Sequence, residues 1–382
     1  MFDDDLQDVL AKYDYPLDEK KIANQPVFPR DTSKLLVLDR QTGALEDRRF
    51  YELADFLSDK DVLVLNETKV FAARLLGKKQ SGGKVELLLI KQINLDTFEA
   101  ISKPGLKMGQ RLFFPRRSFL ESDGSLSADL DFSDFLQAEV IFRDENSAKV
   151  QVRFNQSNAT LLAEIDLCGF TPLPPYIKPT QNEDEIKAEY QTVYAKEEGS
   201  AAAPTAGLHF TEELLAKLKQ KGVQIEKITL HVGLGTFAKL TSENLASKTL
   251  HSEYYEITAE VADRLNQAKK AGKRIIAVGT TTTRSLESAV LLSASQRELS
   301  AAAQESNIFI DPPYQFNFVD ALITNFHLPK SSLLMLVSAF SSAPNTPEEF
   351  TNFLHSKIGQ AYLHALENDY RFFSFGDAML IA

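Results

Sequence analysis

Short apolar runs follow one another closely between residues 84 and 154, separated by Gly, Asp or Ser. In residues 148–154 every second side chain is apolar, which is the period of a half-buried strand. The other strands predicted in this segment are 84–91, 97–102, 111–114 and 138–142. This pattern predicts a small unit built of β-strands alone.

On both sides of this segment the pattern changes to alternating strands and helices. Helices are predicted at 51–57, 211–222, 257–272, 281–292 and 329–340, the last with Pro329 near its start. Apolar runs of strand length lie at 35–39, 61–65, 223–232, 274–278 and 319–324. Residues 293–306 are polar and rich in Ala and Ser, so we expect a loop or a surface helix there. The alternation of strand and helix predicts a largely parallel sheet.

These patterns together predict an α/β protein with two domains. A large, irregular and barrel-like α/β domain is expected to comprise residues 1–75 and 157–382, with a small β-barrel-like domain inserted at 76–156. The length of 382 residues agrees with this division, because one hydrophobic core rarely organises so long a chain.

Composition narrows the class of protein further. The single cysteine, Cys168, cannot form an internal disulfide, and the acidic N-terminus lacks the positive start of a signal peptide, so we expect a cytoplasmic protein. The net charge of −11 argues against broad nucleic-acid binding, which requires clustered Lys and Arg. Any RNA contact would therefore use local patches such as Lys78, Arg116 and Arg117, although each of them alone also fits a solvated surface.

Two of the four loops that carry the candidate chemistry lie between residues 199 and 237. Residues 199–211 combine small side chains, which leave room for a ligand beside the backbone, with the polar groups of Thr205 and His209. Residues 230–237 follow a predicted strand and include His231. The carboxyl end of a strand is where open α/β sheets place their ligands.

The other two loops lead from predicted strands into predicted helices. In residues 277–287 the free N–H groups of a helix start suit an anion, and Arg284 can pair with it through two hydrogen bonds. Residues 322–332 bring Asn325, His327 and Lys330 to a similar junction. We expect the four loops to converge on one cleft.

Structural roles stay open for several of these residues. His209 could cap a neighbouring element, His231 could be a core histidine with one hydrogen bond, and Arg284 could form a surface pair with Glu287. The histidines lack the close spacing of a metal-binding helix and no cysteine cluster assists them, so we expect no metal site. No Gly-x-Gly-x-x-Gly or Walker pattern indicates a nucleotide fold.

Three of the four loops carry motifs that resemble the S-adenosylmethionine:tRNA ribosyltransferase-isomerase family. The motifs are AAPTAGLHF at 202–210, LHVGLGTF at 230–237 and TNFHLPKS at 324–331, and further matches include DYPL at 14–17 and YRFFSFGDAML at 370–380. The resemblance spans roughly residues 13–381. This chain departs from the family pattern at Glu67, Phe71, Ala72, Pro313 and Phe375.

The resemblance implies a reaction on tRNA. S-adenosylmethionine would donate its ribosyl unit to 7-aminomethyl-7-deazaguanine at the wobble position of the anticodon loop, leaving epoxyqueuosine in the tRNA and releasing adenine and methionine. In such a reaction S-adenosylmethionine is a substrate, and we expect no permanently bound cofactor. A base must remove a proton beside the sulfonium, and histidine suits proton transfer near neutral pH.

We predict that His209, His231, Arg284 and His327 line one pocket for S-adenosylmethionine, with one histidine as the base and Arg284 holding an anionic group. Glu287 and Asp377 are the next candidates for the base. The residues expected to bind substrate are Tyr194, Thr205, Gly207, Gly233, Thr236, Thr281, Glu287, Asn325, Lys330, Arg371 and Asp377. Lys78, Arg116 and Arg117 are expected to contact the tRNA. The competing hypotheses are an α/β enzyme acting on a phosphosugar and an RNA-binding protein without catalytic activity.

Overall fold

The computed structural model describes residues 2–120, 132–145, 148–174, 176–177, 182–233, 239–293 and 297–382. Within these residues the helices are α1 (Phe2–Ala11), α2 (Leu53–Phe56), α3 (Asn158–Cys168), α4 (Glu183–Glu189), α5 (Glu212–Gln220), α6 (Ser242–Ser247), α7 (Ala259–Lys270), α8 (Thr280–Leu291), α9 (Ser332–Phe340) and α10 (Lys357–Glu367). None of the helices in this part of the chain is both long and apolar enough to cross a membrane.

The strands of the described residues fall into three groups along the chain. Four precede the β unit: β1 (Lys34–Leu38), β2 (Leu45–Arg49), β3 (Asp61–Asn66) and β4 (Thr68–Val70). The next seven are β5 (Arg74–Lys79), β6 (Lys84–Gln92), β7 (Thr97–Lys103), β8 (Arg111–Phe114), β9 (Leu136–Arg143), β10 (Lys149–Phe154) and β11 (Gly169–Phe170). The remaining strands are β12 (Glu197–Ser200), β13 (Gln224–Leu230), β14 (Thr249–Ile257), β15 (Arg274–Val278), β16 (Ala302–Ile308), β17 (Ala321–Asn325) and β18 (Ala378–Ile381).

The main sheet has nine strands in the order β16-β14-β13-β3-β15-β17-β18-β1-β2. Strands β13, β3, β15 and β17 run parallel to one another, and β15 and β17 consist largely of buried apolar residues, as expected for strands covered on both faces. Strand β18 is antiparallel to β17 and parallel to β1, so both ends of the chain join this sheet. Separate apolar clusters pack on its two faces.

The second sheet closes on itself as a small barrel. Strands β5, β6, β7, β10, β9 and β8 follow one another, and β8 returns to β5 through the pairs Lys78 with Phe113 and Lys79 with Leu112. The predicted fold class, an α/β domain with a β-barrel inserted in the chain, is confirmed. The domain boundaries at 76 and 156 stay a prediction; the first barrel strand begins at Arg74, and β11 adds to the edge of β5.

Several helices begin where a hydroxyl side chain satisfies a free backbone N–H group. Thr211, Thr258 and Ser331 accept hydrogen bonds from the N–H groups three residues later, at the starts of α5, α7 and α9. The expectation of a loop or a surface helix at 293–306 was wrong at its end, because residues 302–308 form strand β16, which pairs with β14. Strand β14, in which exposed and buried positions alternate, was not predicted either.

Candidate active site

A cavity opens at the carboxyl ends of β15 and β17, next to the first turn of α8. Because these strands are parallel, the residues that follow them meet at the same edge of the sheet. Three residues predicted to bind substrate line this first cavity, namely Thr205, Thr281 and Asn325, together with His327, which was predicted to be catalytic. The rest of its wall consists of Ala203, Pro204, Ala206, Val232, Gly279, Thr280, Thr324, Leu333, Phe373 and Ser374.

Of the four threonines at the start of α8, two form hydrogen bonds within the helix and two line the cavity. The hydroxyls of Thr282 and Thr283 donate to the carbonyls four residues earlier, at 2.7 and 3.1 Å, and are fully buried. Thr280 and Thr281 line the cavity instead. Gly279, with φ of 91°, makes the turn from β15 into the helix. This helix start therefore presents hydroxyls and backbone N–H groups to a ligand.

His327 is the histidine that lines the first cavity. Its Nε2 lies 2.9 Å from the Thr324 hydroxyl, its backbone N–H donates to the Tyr362 hydroxyl, and its carbonyl accepts from Tyr15. Among the described residues, Nδ1 has no hydrogen-bond partner. Burial lowers the pKa of His327 to about 3, so the imidazole is neutral near pH 7. The neutral ring of His327 is thus held at the cavity wall by a hydrogen bond at one of its two nitrogens.

His209 lies in a chain of hydrogen bonds that ends at the first cavity. Its Nδ1 is 2.8 Å from the Ser33 hydroxyl, and its Nε2 is 3.1 Å from Nδ2 of Asn325. The Thr205 hydroxyl donates to Oδ1 of Asn325 at 3.0 Å. Since the Asn325 amide nitrogen is a donor, Nε2 of His209 accepts and Nδ1 carries the proton. Both ring nitrogens are therefore occupied.

Burial and nearby cations keep His209 neutral. Burial contributes most to lowering its pKa to about 3, and the charges of Arg371 and Arg30 lower it further. The ring also stacks on Phe50, with centroids 5.0 Å apart. His209 borders a second cavity, which shares Ser374 with the first. The lining of this second cavity is Pro26, Val27, Arg30, Leu208, His209, Arg371, Ser374, Phe375 and Gly376.

Arg284 is a buried cation with one ionic partner that the sequence analysis did not find. Its Nη1 lies 2.6 Å from Oε2 of Glu253, and both side chains are almost inaccessible. Its Nε and Nη2 have no partner within the described residues. The other oxygen of Glu253 accepts from the N–H of Gly233 at 3.0 Å. Alternation of Glu253, Tyr255 and Ile257 on the buried face of β14 was the signal that could have revealed this carboxylate.

Of the four residues of the predicted pocket, His327 lines the first and His209 the second of the two cavities described. Nδ1 of His231 lies 2.8 Å from the Thr68 hydroxyl, and the ring stacks on Tyr254. Burial lowers the pKa of His231, while Glu197 and Glu256 oppose this shift. In the part of the chain described, neither His231 nor Arg284 is among the residues that line the two cavities. The catalytic roles of all four stay predictions.

Gly207 and Tyr194 are in close contact behind the first cavity. A Cβ atom at position 207 would lie 2.0 Å from the Tyr194 hydroxyl, so only glycine allows this approach. Tyr194 is buried, and its hydroxyl has no hydrogen-bond partner among the described residues. Thr236, also predicted to bind substrate, lies outside the described residues.

The charged residues predicted to bind substrate already have partners within the protein. Glu287 accepts from the N–H groups of residues 317, 318 and 319 and from the Tyr314 hydroxyl. Burial raises the pKa of Glu287, and these hydrogen bonds oppose the shift. Asp377 accepts from the N–H groups of Lys34 and Arg371. Lys330 pairs with Asp14 at 2.8 Å.

The residues predicted to contact tRNA lie on the barrel or next to it. Arg116 forms two hydrogen bonds with Glu164, at 3.1 and 2.6 Å, and Arg117 donates to the carbonyls of Asp166 and Gly169. These contacts connect the segment after β8 to helix α3 and to β11. Lys78 lies in β5, opposite Phe113. Their role in binding tRNA stays a prediction.

The α/β sheet carries two adjoining cavities, with polar groups inside them and neutral histidines on their walls. Such an arrangement beyond the ends of strands is typical of an enzyme that acts on small molecules. The chain belongs to the family of queuosine biosynthesis proteins, whose family model matches residues 10–381.

Named relatives agree with this membership. The chain is 44% identical, over 97% of its length and 99% of the relative's, to the S-adenosylmethionine:tRNA ribosyltransferase-isomerase of Carboxydothermus hydrogenoformans. It is 46% identical, over the same shares, to the protein of that name from Staphylococcus epidermidis. The crystal structure of S-adenosylmethionine tRNA ribosyltransferase from Thermotoga maritima, 34% identical, is similar with a TM-score of 0.51 over 97% of this chain and 100% of that one.

The hydrogen bonds of Glu287 generate a first prediction. In Glu287→Gln an amide N–H₂ must replace one of two oxygens that each accept two hydrogen bonds, so donors face donors in a buried site. We expect the free energy of unfolding to fall by about 3 kcal/mol, measured by urea denaturation and circular dichroism. Exposed Glu349 supplies the control: Glu349→Gln should leave stability unchanged, and equal effects of the two substitutions would contradict the assigned role.

The lowered pKa of His327 predicts a pH dependence of stability. Between about pH 6.5 and 3 the unfolded chain binds a proton at His327 that the folded protein does not, so stability falls as the pH falls. From pH 7 to 5 this amounts to about 2 kcal/mol. His327→Gln should show a pH dependence weaker by that amount in urea denaturation at both pH values. His355→Gln, at an exposed position, is the control; a pH dependence unchanged in His327→Gln would disprove the assignment.

Proposed function

We propose that this protein is an S-adenosylmethionine:tRNA ribosyltransferase-isomerase. The names of its relatives support this proposal, because the identity of 44 to 46% extends over 97% of the chain. The observation that carries the proposal in the structure itself is the neutral His327 in a cavity at the carboxyl ends of parallel strands. His327, the proposed base, and the start of α8, which suits anions, thus border the same cavity.

The finer reaction follows from the family resemblance. S-adenosylmethionine gives its ribosyl unit to the aminomethyl group of 7-aminomethyl-7-deazaguanine in the anticodon loop of tRNA. Adenine and methionine leave, and epoxyqueuosine remains in the tRNA. S-adenosylmethionine is consumed as a substrate, so the reaction itself requires no permanently bound cofactor or metal, and its tRNA substrate places the enzyme in the cytoplasm.

His327 serves in this proposal as the base that removes a proton from the 5′ carbon beside the sulfonium. In the tautomer whose Nε2–H donates to Thr324, Nδ1 carries a lone pair, and this atom has no partner within the described residues. Burial keeps the ring neutral near pH 7, so it does not repel the positive sulfonium, and the same burial disfavours the imidazolium that removal of the proton forms. His209 cannot act in the same way while both its nitrogens are occupied.

Arg284 holds the carboxylate of the methionine part in this proposal. Its Nε–H and the adjacent Nη2–H form the edge of the guanidinium that pairs with both oxygens of a carboxylate. That edge is buried and unpaired, a state that costs free energy until an acceptor arrives. Thr280 and Thr281, one turn earlier on α8, line the first cavity. The pair with Glu253 keeps the guanidinium in place.

The barrel is the part of the protein that we assign to the body of the tRNA. Lys78, Arg116 and Arg117 lie on it or beside it, and cationic side chains of this kind bind phosphates. The exposed fraction of the Arg116 side chain is 43%, so its charge reaches solvent despite the pair with Glu164.

Adenine release from S-adenosylmethionine in the presence of tRNA carrying the deazaguanine precursor tests the function. We expect the wild-type protein to release adenine only when both substrates are present. His327→Gln should lower the rate about a hundredfold to ten-thousandfold, the usual effect of removing a general base, with donor affinity nearly unchanged. His355→Gln should keep full activity. Near-normal turnover in His327→Gln would exclude His327 as the base, and adenine release without tRNA would exclude the proposed reaction.

Arg284→Lys tests the anion site without leaving Glu253 unpaired. Lysine retains the positive charge but loses the flat edge with two parallel donors, so we expect donor affinity to fall about tenfold. Titration calorimetry with S-adenosylmethionine provides the measurement. The matched control is Arg264→Lys on α7, since Arg264 also pairs with a glutamate, Glu226, but has a half-exposed side chain of its own. Equal donor affinities of Arg284→Lys and the wild type would refute the assignment of the carboxylate to Arg284.

A further inference from the structure

Glu253 is a buried carboxylate whose two oxygens hold two different elements of the main domain. Its Oε2 accepts from Nη1 of Arg284 at 2.6 Å, and its Oε1 accepts from the backbone N–H of Gly233 at 3.0 Å. Nε2 of His251 lies 3.2 Å from the same Oε1. The side chain of Glu253 has no exposed surface. If this carboxylate turned away, buried donors would lose their partner, so its charge stays beside the guanidinium.

Both elements held by Glu253 also reach the wall of the first cavity. Thr281, which lines this cavity, precedes Arg284 by three residues and therefore shares its face of helix α8. Side chains of a helix point back toward its N-terminus, so Arg284 points toward this turn. Gly233 directly follows Val232, another residue of the cavity wall. The ion pair thus lies behind the wall of the cavity.

The guanidinium of Arg284 is an anion site with a negative charge already beside it. Nε and Nη2 of Arg284 are buried and have no hydrogen-bond partner among the described residues. A guanidinium with such donors attracts anions of any kind, inorganic ones included. In the ion pair, however, the charges of Arg284 and Glu253 cancel. An anion at the free edge is repelled by Glu253 from across the guanidinium, so an anion alone gains little there.

A ligand that carries a cation next to its anion avoids this penalty. In an α-amino acid the ammonium group is bonded to the carbon that bears the carboxylate, so the two charges arrive together. When the carboxylate pairs with Arg284, the ammonium offsets the repulsion by Glu253. Sulfate and phosphate bring no such cation and meet the full repulsion.

We infer that Glu253 is a specificity-determining residue, which makes the anion site on Arg284 select the zwitterionic end of an amino acid and reject inorganic anions. This inference rests on the proposed function, in which Arg284 holds the carboxylate of the methionine part. It adds the chemical class that the site accepts and the residue that sets it. Glu253 need not touch the ligand, because its charge acts through the guanidinium that both contact.

Competition by sulfate tests this role. Titration calorimetry with S-adenosylmethionine, with and without sodium sulfate, is carried out at about pH 8, where imidazole groups carry little charge. We expect sulfate to leave the affinity of the wild type nearly unchanged and to lower that of Glu253→Gln about tenfold, because the amide does not repel the anion. Glu253→Asp, which keeps the charge, should respond as the wild type does. Equal responses of the wild type and Glu253→Gln would overturn the inference.

Glu226→Gln is the matched control for the loss of a buried carboxylate. Glu226 also pairs with an arginine, Arg264, and its side chain is only 7% exposed. Within the described part of the chain, neither of these two residues lines the first or the second cavity. The affinity of this variant should resist sulfate as that of the wild type does. A sulfate effect as large as that in Glu253→Gln would contradict the assignment to Glu253.

An analogue of S-adenosylmethionine without its α-amino group provides a second measurement, which does not depend on the folding of Glu253→Gln. The wild type should bind this analogue about tenfold more weakly than S-adenosylmethionine, because the carboxylate then meets the charge of Glu253 without compensation. Equal affinities of the wild type for the two ligands would disprove the selection of a zwitterion. A wild type that distinguishes the ligands but releases no adenine with the precursor tRNA would refute the proposed function and leave this inference standing.

Discussion

The pairing of β18 between β17 and β1 is the interaction on which both cavities depend. It joins the last strand of the chain to one of the first and thereby brings residues 371–376 beside 205–209 and 325–327. The carboxylate of Asp377 fixes the start of this strand, because it accepts the N–H groups of Lys34 and Arg371. Without this pairing the second cavity would lose one wall, and Ser374 would no longer connect it to the first.

Burial determines the electrostatic character of the site as much as the charged side chains do. His209 and His327 are both neutral because the folded protein excludes water from them, so the histidines contribute hydrogen bonds rather than charge. The positive charge comes from the guanidinium groups of Arg30 and Arg371, which border the second cavity. The charges of the two cavities therefore differ: the neutral ring of His327 lines the first cavity, and Arg30 and Arg371 border the second together with the neutral ring of His209.

The sequence predicted those parts of the fold that hydrophobic periodicity controls. The runs at β10, β15 and β17 gave correct strands, and the closed barrel and the α/β class followed from them. Strands β14 and β16 were missed because polar side chains dominate their exposed positions. The cavities lie at loops that follow strand ends, as the sequence predicted, but the hydrophobic pattern cannot tell which way a side chain in such a loop points. Among the described residues His327 lines the first cavity, whereas Arg284 and His231 are not part of its lining, and the roles of all three stay predictions.

The closure of the barrel and the charges on β2 both affect whether copies of this protein aggregate through their strand edges. Through the contact of β8 with β5, the inserted barrel hides most of the strand edges that a second chain could extend. The main sheet is open and has β2 as one of its two edge strands. The four exposed residues of β2, Glu46, Asp47, Arg48 and Arg49, are all charged. An incoming strand would have to desolvate these charges. The protein can thus carry a nine-stranded open sheet and still resist aggregation by strand addition at this edge.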